Sequence, residues 1–542
     1  MSRKRVRLNR AQLLLVVATL AVASVAAVSA NASLPPLALT ESGVVVGQTA
    51  NGVNTFLGIP YAAPPMGSLR WRPPQHYGFF PGLVLHASTF GSECVQPGIG
   101  SENCLFLNVY QPVPSKTHPI FGLLPVMVWI HGGGLVTGGA DFYDATRLAQ
   151  QGVIVVTINY RLGFLGFLAQ SALDAEKHEA GNYGFMDQQF ALNWVQRNIL
   201  GFGGDPTRVT IFGESAGGQS VIAQMVSPTA SHLFRGAISE SGTYVEFQDY
   251  FNFIVALSAG ETTGTSAVPP GSAIASALGC ASQSAACLRA VPAASIAAIE
   301  PQTIYPFVDG VLLPQTPTAA FTSGKFNHVP AIFGTNHDEW RLFVAEEYDF
   351  GPLGPLTDPE YPDAVSALVG STLVDFLTNV LYPLTDFPPP AASVMSAPLA
   401  LGALGTDDIF TCPARNAELL LAQRVPTWVY EFHDETAPTL FFPPASFPLG
   451  DAHAFELDYL FNLAGIDSLL FLTPDQVALS DTMIGYWTQF AKTLNPNFAG
   501  APGWSKYALG GSIESLVAPT PVTESDAAFD ADHKCSVFWD TF

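Results

Sequence analysis

The chain has 542 residues, 48% hydrophobic and 12% charged, about half the charged share of an average globular protein, and its mean hydropathy is +0.27; a disordered chain is excluded and a large core implied. Lys and Arg number 22 against 45 Asp and Glu, a net charge of −23 that repels nucleic-acid phosphates and anionic membrane surfaces, so neither is expected as a partner. At roughly 100 to 200 residues per domain the length alone allows several domains, yet no repeat, low-complexity tract or charged linker divides residues 33–542, and one large domain is expected there.

The first 32 residues carry Arg3, Lys4, Arg5, Arg7 and Arg10, an uncharged apolar stretch over 13–28, and small residues ending at Ala30, Asn31 and Ala32. That is the pattern of a secretory signal peptide, with cleavage expected after Ala32. Its removal takes five basic residues and no acid, leaving a more acidic chain, secreted or periplasmic, with no membrane anchor. The one N-x-[ST] sequon, at Asn31, leaves with it. Export places the six cysteines in an oxidising compartment where all can pair, in any of about fifteen connectivities. No C-x-x-C or H-E-x-x-H motif occurs, so neither a metal nor a cofactor is expected.

Further along, short apolar, β-rich runs at residues 125–131, 153–160, 208–212, 329–333 and 426–432 read as buried strands. Their composition suits a mostly parallel sheet with helices on both faces. Between the second and third runs, residues 184–199 place Phe190, Leu192, Trp194, Val195 and Ile199 at helical spacing, the grammar of a βαβ unit in an α/β fold. Pro-rich segments at 352–362 and 383–398 are expected to be irregular or excursion segments.

The third run leads straight into Gly213, Glu214, Ser215, Ala216 and Gly217, and an apolar, helix-compatible stretch over 219–226 follows. A G-x-S-x-G turn between strand and helix holds the serine in a strained backbone conformation with its hydroxyl clear of the sheet. A serine hydroxyl is almost fully protonated at neutral pH, so it needs a base, an acid to orient that base, and donors for the oxyanion formed on attack. Upstream, the first run ends in His131, Gly132, Gly133 and Gly134, whose backbone N–H groups are unshielded. Gly133, Gly134 and Ala216 would form a three-donor oxyanion hole. Downstream, the fourth run ends before Asp338 and Glu339, both chemically able to serve as the acid. Beyond them lie His433, His453 and His533. His433 suits a solvated strand end, His533 sits in an acidic tail that reads as surface, and His453 is flanked by alanines that leave its ring free to reach a neighbouring loop.

These motifs resemble the type-B carboxylesterase family of α/β hydrolases over nearly the whole chain. The resemblance rests on residues 56–62, 101–109, 181–188 and 202–206, on the H-G-G-G segment and on the nucleophile run. It implies the α/β-hydrolase fold and a triad of Ser215, Glu339 and His453, the glutamate from an N-x-D-E segment and the histidine from an H-x-x-E segment completed by Glu456. It also implies disulfides pairing Cys94 with Cys104, Cys280 with Cys287 and Cys412 with Cys535, and a hydrogen bond from Ser241 near the triad acid. Leu135 and Trp340 depart from the family's usual aromatic residue and glycine at those places, which bears on pocket shape.

The activity expected is hydrolysis of small, uncharged short to medium acyl esters through an acyl-enzyme, by a secreted serine carboxylic ester hydrolase. Lipase action on longer acyl glycerides is the alternative, and a non-catalytic adhesion-type member is a more distant one. Only residues 95–103 lie between Cys94 and Cys104, too short for the mobile lid of the family's lipases and without the tryptophan that cholinesterases stack on choline. The aromatic segment 440–447 is expected to line the entrance to the site, with a surface packing loop as the alternative.

Overall fold

The computed structural model describes residues 34–541 except 115–121, 245–253, 265–268, 302–303, 392 and 441; the signal segment expected over 1–32 lies outside the described residues. Eleven strands form the main sheet: β1 (Gln48–Ala50), β2 (Val53–Pro60), β3 (Phe106–Pro112), β4 (Leu124–Ile130), β5 (Ile154–Ile158), β6 (Gly204–Glu214), β7 (Gly236–Glu240), β8 (Ala331–Asn336), β9 (Thr427–Phe432), β10 (Ser512–Leu516) and β11 (Val522–Ser525). Their order is β11-β10-β9-β8-β7-β6-β4-β5-β3-β2-β1. From β5 to β10 neighbouring strands run parallel, and antiparallel strands close both edges.

Each expected run forms one of these parallel strands, because a strand covered on both faces must be apolar throughout. In β4, successive side chains point to opposite faces. Val126, Val128 and Ile130 join a core shared with α1 (Tyr183–Asn198) and α2 (Ala216–Val226). Met127 and Trp129 face a second core that includes Leu479, Met483 and Trp487 of α4 (Pro474–Thr493). Helix α3 (Cys412–Ala422) contributes Ala417 and Leu421 to the first core. Start signals are local: Thr473 and Gln476 form a capping box at α4, with Pro474 in its first turn.

Among the described residues the Pro-rich segments are irregular apart from the 3₁₀ turns Asp358–Glu360 and Leu384–Asp386 until their last two residues, where helices Tyr361–Val369 and Ala397–Gly405 begin, each with a proline in its first turn. A missing N–H costs nothing at that position, so Pro362 and Pro398 start helices instead of interrupting them. One expectation fails: the C-terminal acidic stretch is not a solvated tail. Residues Asp526–Asp532 form a helix, Cys535 is bonded to Cys412, and His533 is 3% exposed. Its ring is buried because both nitrogens find carboxylates, Asp407 at 2.6 Å and Glu431 at 2.7 Å.

Candidate active site

Ser215 lies between β6 and α2 with φ 55° and ψ −124°, a sparsely populated conformation that costs on the order of 1–3 kcal/mol for a residue with a Cβ. The surroundings hold it there. Its N–H donates to the Glu240 carbonyl on β7 at 2.9 Å, and its carbonyl accepts from Gln219 at 2.8 Å, opening α2. The flanking glycines follow from close approach: a Cβ at Gly217 would sit 1.9 Å from the Ile130 carbonyl oxygen, and one at Gly213 2.5 Å from the same atom. The segment after β4 reaches the same turn, since a Cβ on Gly132 would lie 3.1 Å from that of Ser215. Gly133 and Gly134 have φ +100° and +63°, and Leu135 follows at +60°. His131 is buried and stacks on Tyr160, ring centroids 4.5 Å apart; burial holds its pKa down to about 4, so it is neutral.

The loop after β8 carries both candidate acids. Glu339 is fully buried, and its Oε1 accepts from Ser241 Oγ at 2.5 Å and from the Asn336 N–H at 2.8 Å. Its Oε2 accepts from Nδ1 of His453 at 2.5 Å, while the His453 N–H lies 3.3 Å from the Glu339 carbonyl oxygen. Asp338, the other chemical candidate, turns away: its Oδ2 pairs with Arg341 Nη1 at 2.7 Å. Of the three downstream histidines, His453 is the one joined to Glu339, whereas His433 and His533 sit at the ends of other elements.

The next contact is with a residue the motif reading left without a role. Oε1 of Glu214, directly before Ser215, lies 3.1 Å from Nε2 of His453 but is not aligned as a hydrogen bond. Burial alone would lower the histidine, yet the charges of Glu214 and then Glu339 outweigh it and raise His453 to about 9. Glu214 itself is pushed up to about 7 by burial, against the attraction of His453. Behind these residues, Asn336 Nδ2 donates to Glu456 at 2.6 Å and to the Ala452 carbonyl at 2.8 Å, tying the loop of Glu339 to the loop of His453.

Aromatic rings wall the histidine. Phe343 and Phe410 lie 5.1 and 5.0 Å from the His453 ring, Trp340 packs on Phe343 at 4.6 Å, and Tyr244 on Phe410 at 5.4 Å. Phe343 and Phe410 escaped the sequence reading because only the fold brings them to His453. In the segment expected at the entrance, Phe447 is buried and Phe442 stacks on Phe455 at 6.0 Å; Phe441 lies outside the described residues. Three disulfides join Cys94 to Cys104, Cys280 to Cys287 and Cys412 to Cys535. The first closes a loop held in place by Gln96, whose side chain donates to the Gly138 carbonyl at 3.1 Å and accepts from the Gly138 N–H at 2.9 Å.

A model of the carboxylesterase family matches residues 35–518. Cocaine esterase of Homo sapiens is 34% identical over 513 residues, covering 87% of this chain and 86% of its own. Liver carboxylesterase 1 of Oryctolagus cuniculus is 34% identical, covering 90% and 91%. Among solved structures a PNB esterase matches with a TM-score of 0.73 at 31% identity, covering 92% of this chain and 99% of its own. The eleven-stranded sheet flanked by helices is the α/β-hydrolase fold of these esterases, and the chain belongs to the carboxylesterase family as a carboxylic ester hydrolase of the serine class.

Proposed function

We propose that Ser215, Glu339 and His453 act as a triad that hydrolyses uncharged short to medium acyl esters through an acyl-enzyme. Ser215 Oγ attacks the carbonyl carbon as Nε2 of His453 takes its proton. The N–H groups of Gly133, Gly134 and Ala216 receive the oxyanion, and the imidazolium then protonates the departing alcohol. Water repeats the sequence on the acyl-enzyme. Glu339 fixes the tautomer, with Nδ1 protonated and Nε2 free to accept, and stabilises the imidazolium; Ser241 and Asn336 hold that carboxylate in place. The observation that carries the reading is the 2.5 Å contact between Nδ1 of His453 and Glu339, on a histidine whose other nitrogen faces the residue beside Ser215.

The surroundings support the substrate class. Carboxylates of Glu214, Glu339 and Glu346 act on the His453 charge and would repel an anionic substrate, while Phe343 and Phe410 offer apolar ring faces. The loop over 95–103 is short and pinned through Gln96, which argues against a lid that opens at an oil surface. Three disulfides support export to an oxidising compartment, and no helix among the described residues is long and apolar enough to cross a membrane. A rate series over aryl esters of rising acyl length, run beside emulsified triglyceride, tests the proposal. Hyperbolic kinetics with falling efficiency at long acyl length is expected, and a jump in rate on emulsification would favour the lipase reading.

A further inference from the structure

Three of the eleven histidines meet at one end of the sheet, behind the catalytic loops and outside the reaction just described. His337 follows β8, two residues before Glu339; His433 follows β9; His533 caps the helix Asp526–Asp532. His533 directs Nδ1 to Asp407 Oδ1 at 2.6 Å and Nε2 to Glu431 Oε1 at 2.7 Å. The Nε2 of His337 lies 3.3 Å from Asp532 Oδ2, and its Nδ1 is buried 3.4 Å from Asp338 Oδ1 without a hydrogen bond. Nearby, Asp451 is fully buried and neither of its oxygens is hydrogen-bonded. Glu431 and Asp407 are buried carboxylates on either side of the His533 ring, and their counter-charge comes either from that ring or from a bound cation.

Two trios bring one ligand atom from each member within 4.8 Å of the others: His337 with Glu431 and His533, and His337 with His433 and Asp451. Ring geometry separates them. His337 and His433 are stacked, centroids 4.1 Å apart and planes 9° apart. An imidazole lone pair lies in its ring plane, so two stacked, nearly parallel rings cannot both aim at one ion within their planes. His337 and His533 meet at 62° with centroids 5.3 Å apart, so their planes intersect, as the planes of two imidazoles that share one ion must.

We infer that His337, Glu431 and His533 form a binding site for a divalent cation of the zinc class, with Asp532 at hand as a further oxygen donor. Two imidazoles and one carboxylate are the nitrogen and oxygen set such ions take. The Asp407 carboxylate on Nδ1 of His533 fixes the tautomer that presents Nε2, as orienting carboxylates do at metal-bound histidines. Bonds of about 2.0–2.2 Å draw tetrahedral ligand atoms to about 3.3 Å from one another, an inward closure of up to about 1.5 Å from the limit found here. His337, its side chain 21% exposed, supplies the way in. The cation takes the place of protons on the histidines, which are released on binding. No short motif announces the site, because its ligands come from three distant parts of the chain.

The test titrates chelator-treated full-length protein with Zn²⁺ in equilibrium dialysis, with Co²⁺ as the visible-absorption probe and calorimetry in buffers of different ionisation enthalpy to count released protons. One ion per chain is expected, with proton release and a rise in Tm. His337→Gln, at a partly exposed side chain, should weaken binding by about tenfold or more, while His433→Gln and the active-site change His453→Ala keep the ion. The inference is overturned if neither ion binds at about 1 mM. It is equally overturned if His337→Gln leaves affinity unchanged, or if His433→Gln or His453→Ala removes binding as completely as His337→Gln does.

Discussion

Replacing Glu214 by Gln keeps the size of the residue beside the nucleophile and removes the charge 3.1 Å from Nε2 of His453. Two full charges at that distance interact by about 5 kcal/mol at an effective dielectric of about 20, and one pKa unit corresponds to about 1.36 kcal/mol. Opposing changes in solvation reduce this, and neighbouring charges shift pKa values by about 1–3 units in practice. The sign follows from which form reacts. In the proposed mechanism His453 accepts the proton of Ser215 only when neutral, and Glu214 and Glu339 favour the imidazolium, so kcat/KM of the parent enzyme should rise with pH through about 9. Glu214 is itself charged only above about 7, so its influence is greatest between those values. The Glu214→Gln profile, measured with a soluble neutral aryl ester at fixed ionic strength, should have its inflection about 1–3 units lower, nearer the usual histidine range. An inflection that stays within about 0.3 unit of the parent value, or moves upward, would refute the reasoning. The same raised pKa contributes stability that is fully present below the unfolded histidine value and is lost as pH climbs through about 9.

Ser215→Ala and His453→Ala should each abolish ester hydrolysis with the circular dichroism spectrum little changed; Tm should stay near the parent value for Ser215→Ala and fall for His453→Ala, which leaves the buried Glu339 carboxylate without its partner. Glu339→Gln should lower kcat by about 10⁴-fold, the scale seen when an orienting acid is neutralised, whereas Asp338→Asn should cost far less because Asp338 pairs with Arg341 instead of His453. Cys412→Ser with Cys535→Ser opens a loop of sequence separation 123 and should lower unfolding free energy by about 5 kcal/mol in the chain-entropy picture, read from denaturant midpoints. Choline esters should show no advantage over neutral isosteres at high ionic strength, where long-range attraction of cations is screened.

The nucleophile turn was legible because its determinants are local: strand, two glycines and helix lie within residues 204–226, and the glycines are required by contact with one carbonyl, that of Ile130. Glu339 and Asp338 are adjacent and chemically equivalent, and residue chemistry alone left them tied. The resemblance chose Glu339, the residue whose carboxylate meets His453, while Asp338 faces Arg341. Glu214 stood in plain view inside G-x-S-x-G, but its contact with His453 joins residues from distant parts of the chain and has no sequence period. His533 was misread for the opposite reason. An acidic neighbourhood reads as surface, yet here Asp407 and Glu431, 126 and 102 residues away, provide the partners that let a polar ring be buried.

The central claim is that Ser215 carries the acyl group. Rapid mixing with excess p-nitrophenyl ester, acid quench at the end of the burst and peptide mapping by mass spectrometry test it directly. The account predicts one acyl adduct per chain, on Ser215 in the segment 213–217, absent from Ser215→Ala. An acyl group on another residue, or a turnover-competent enzyme that shows neither burst nor adduct with any ester, would contradict it.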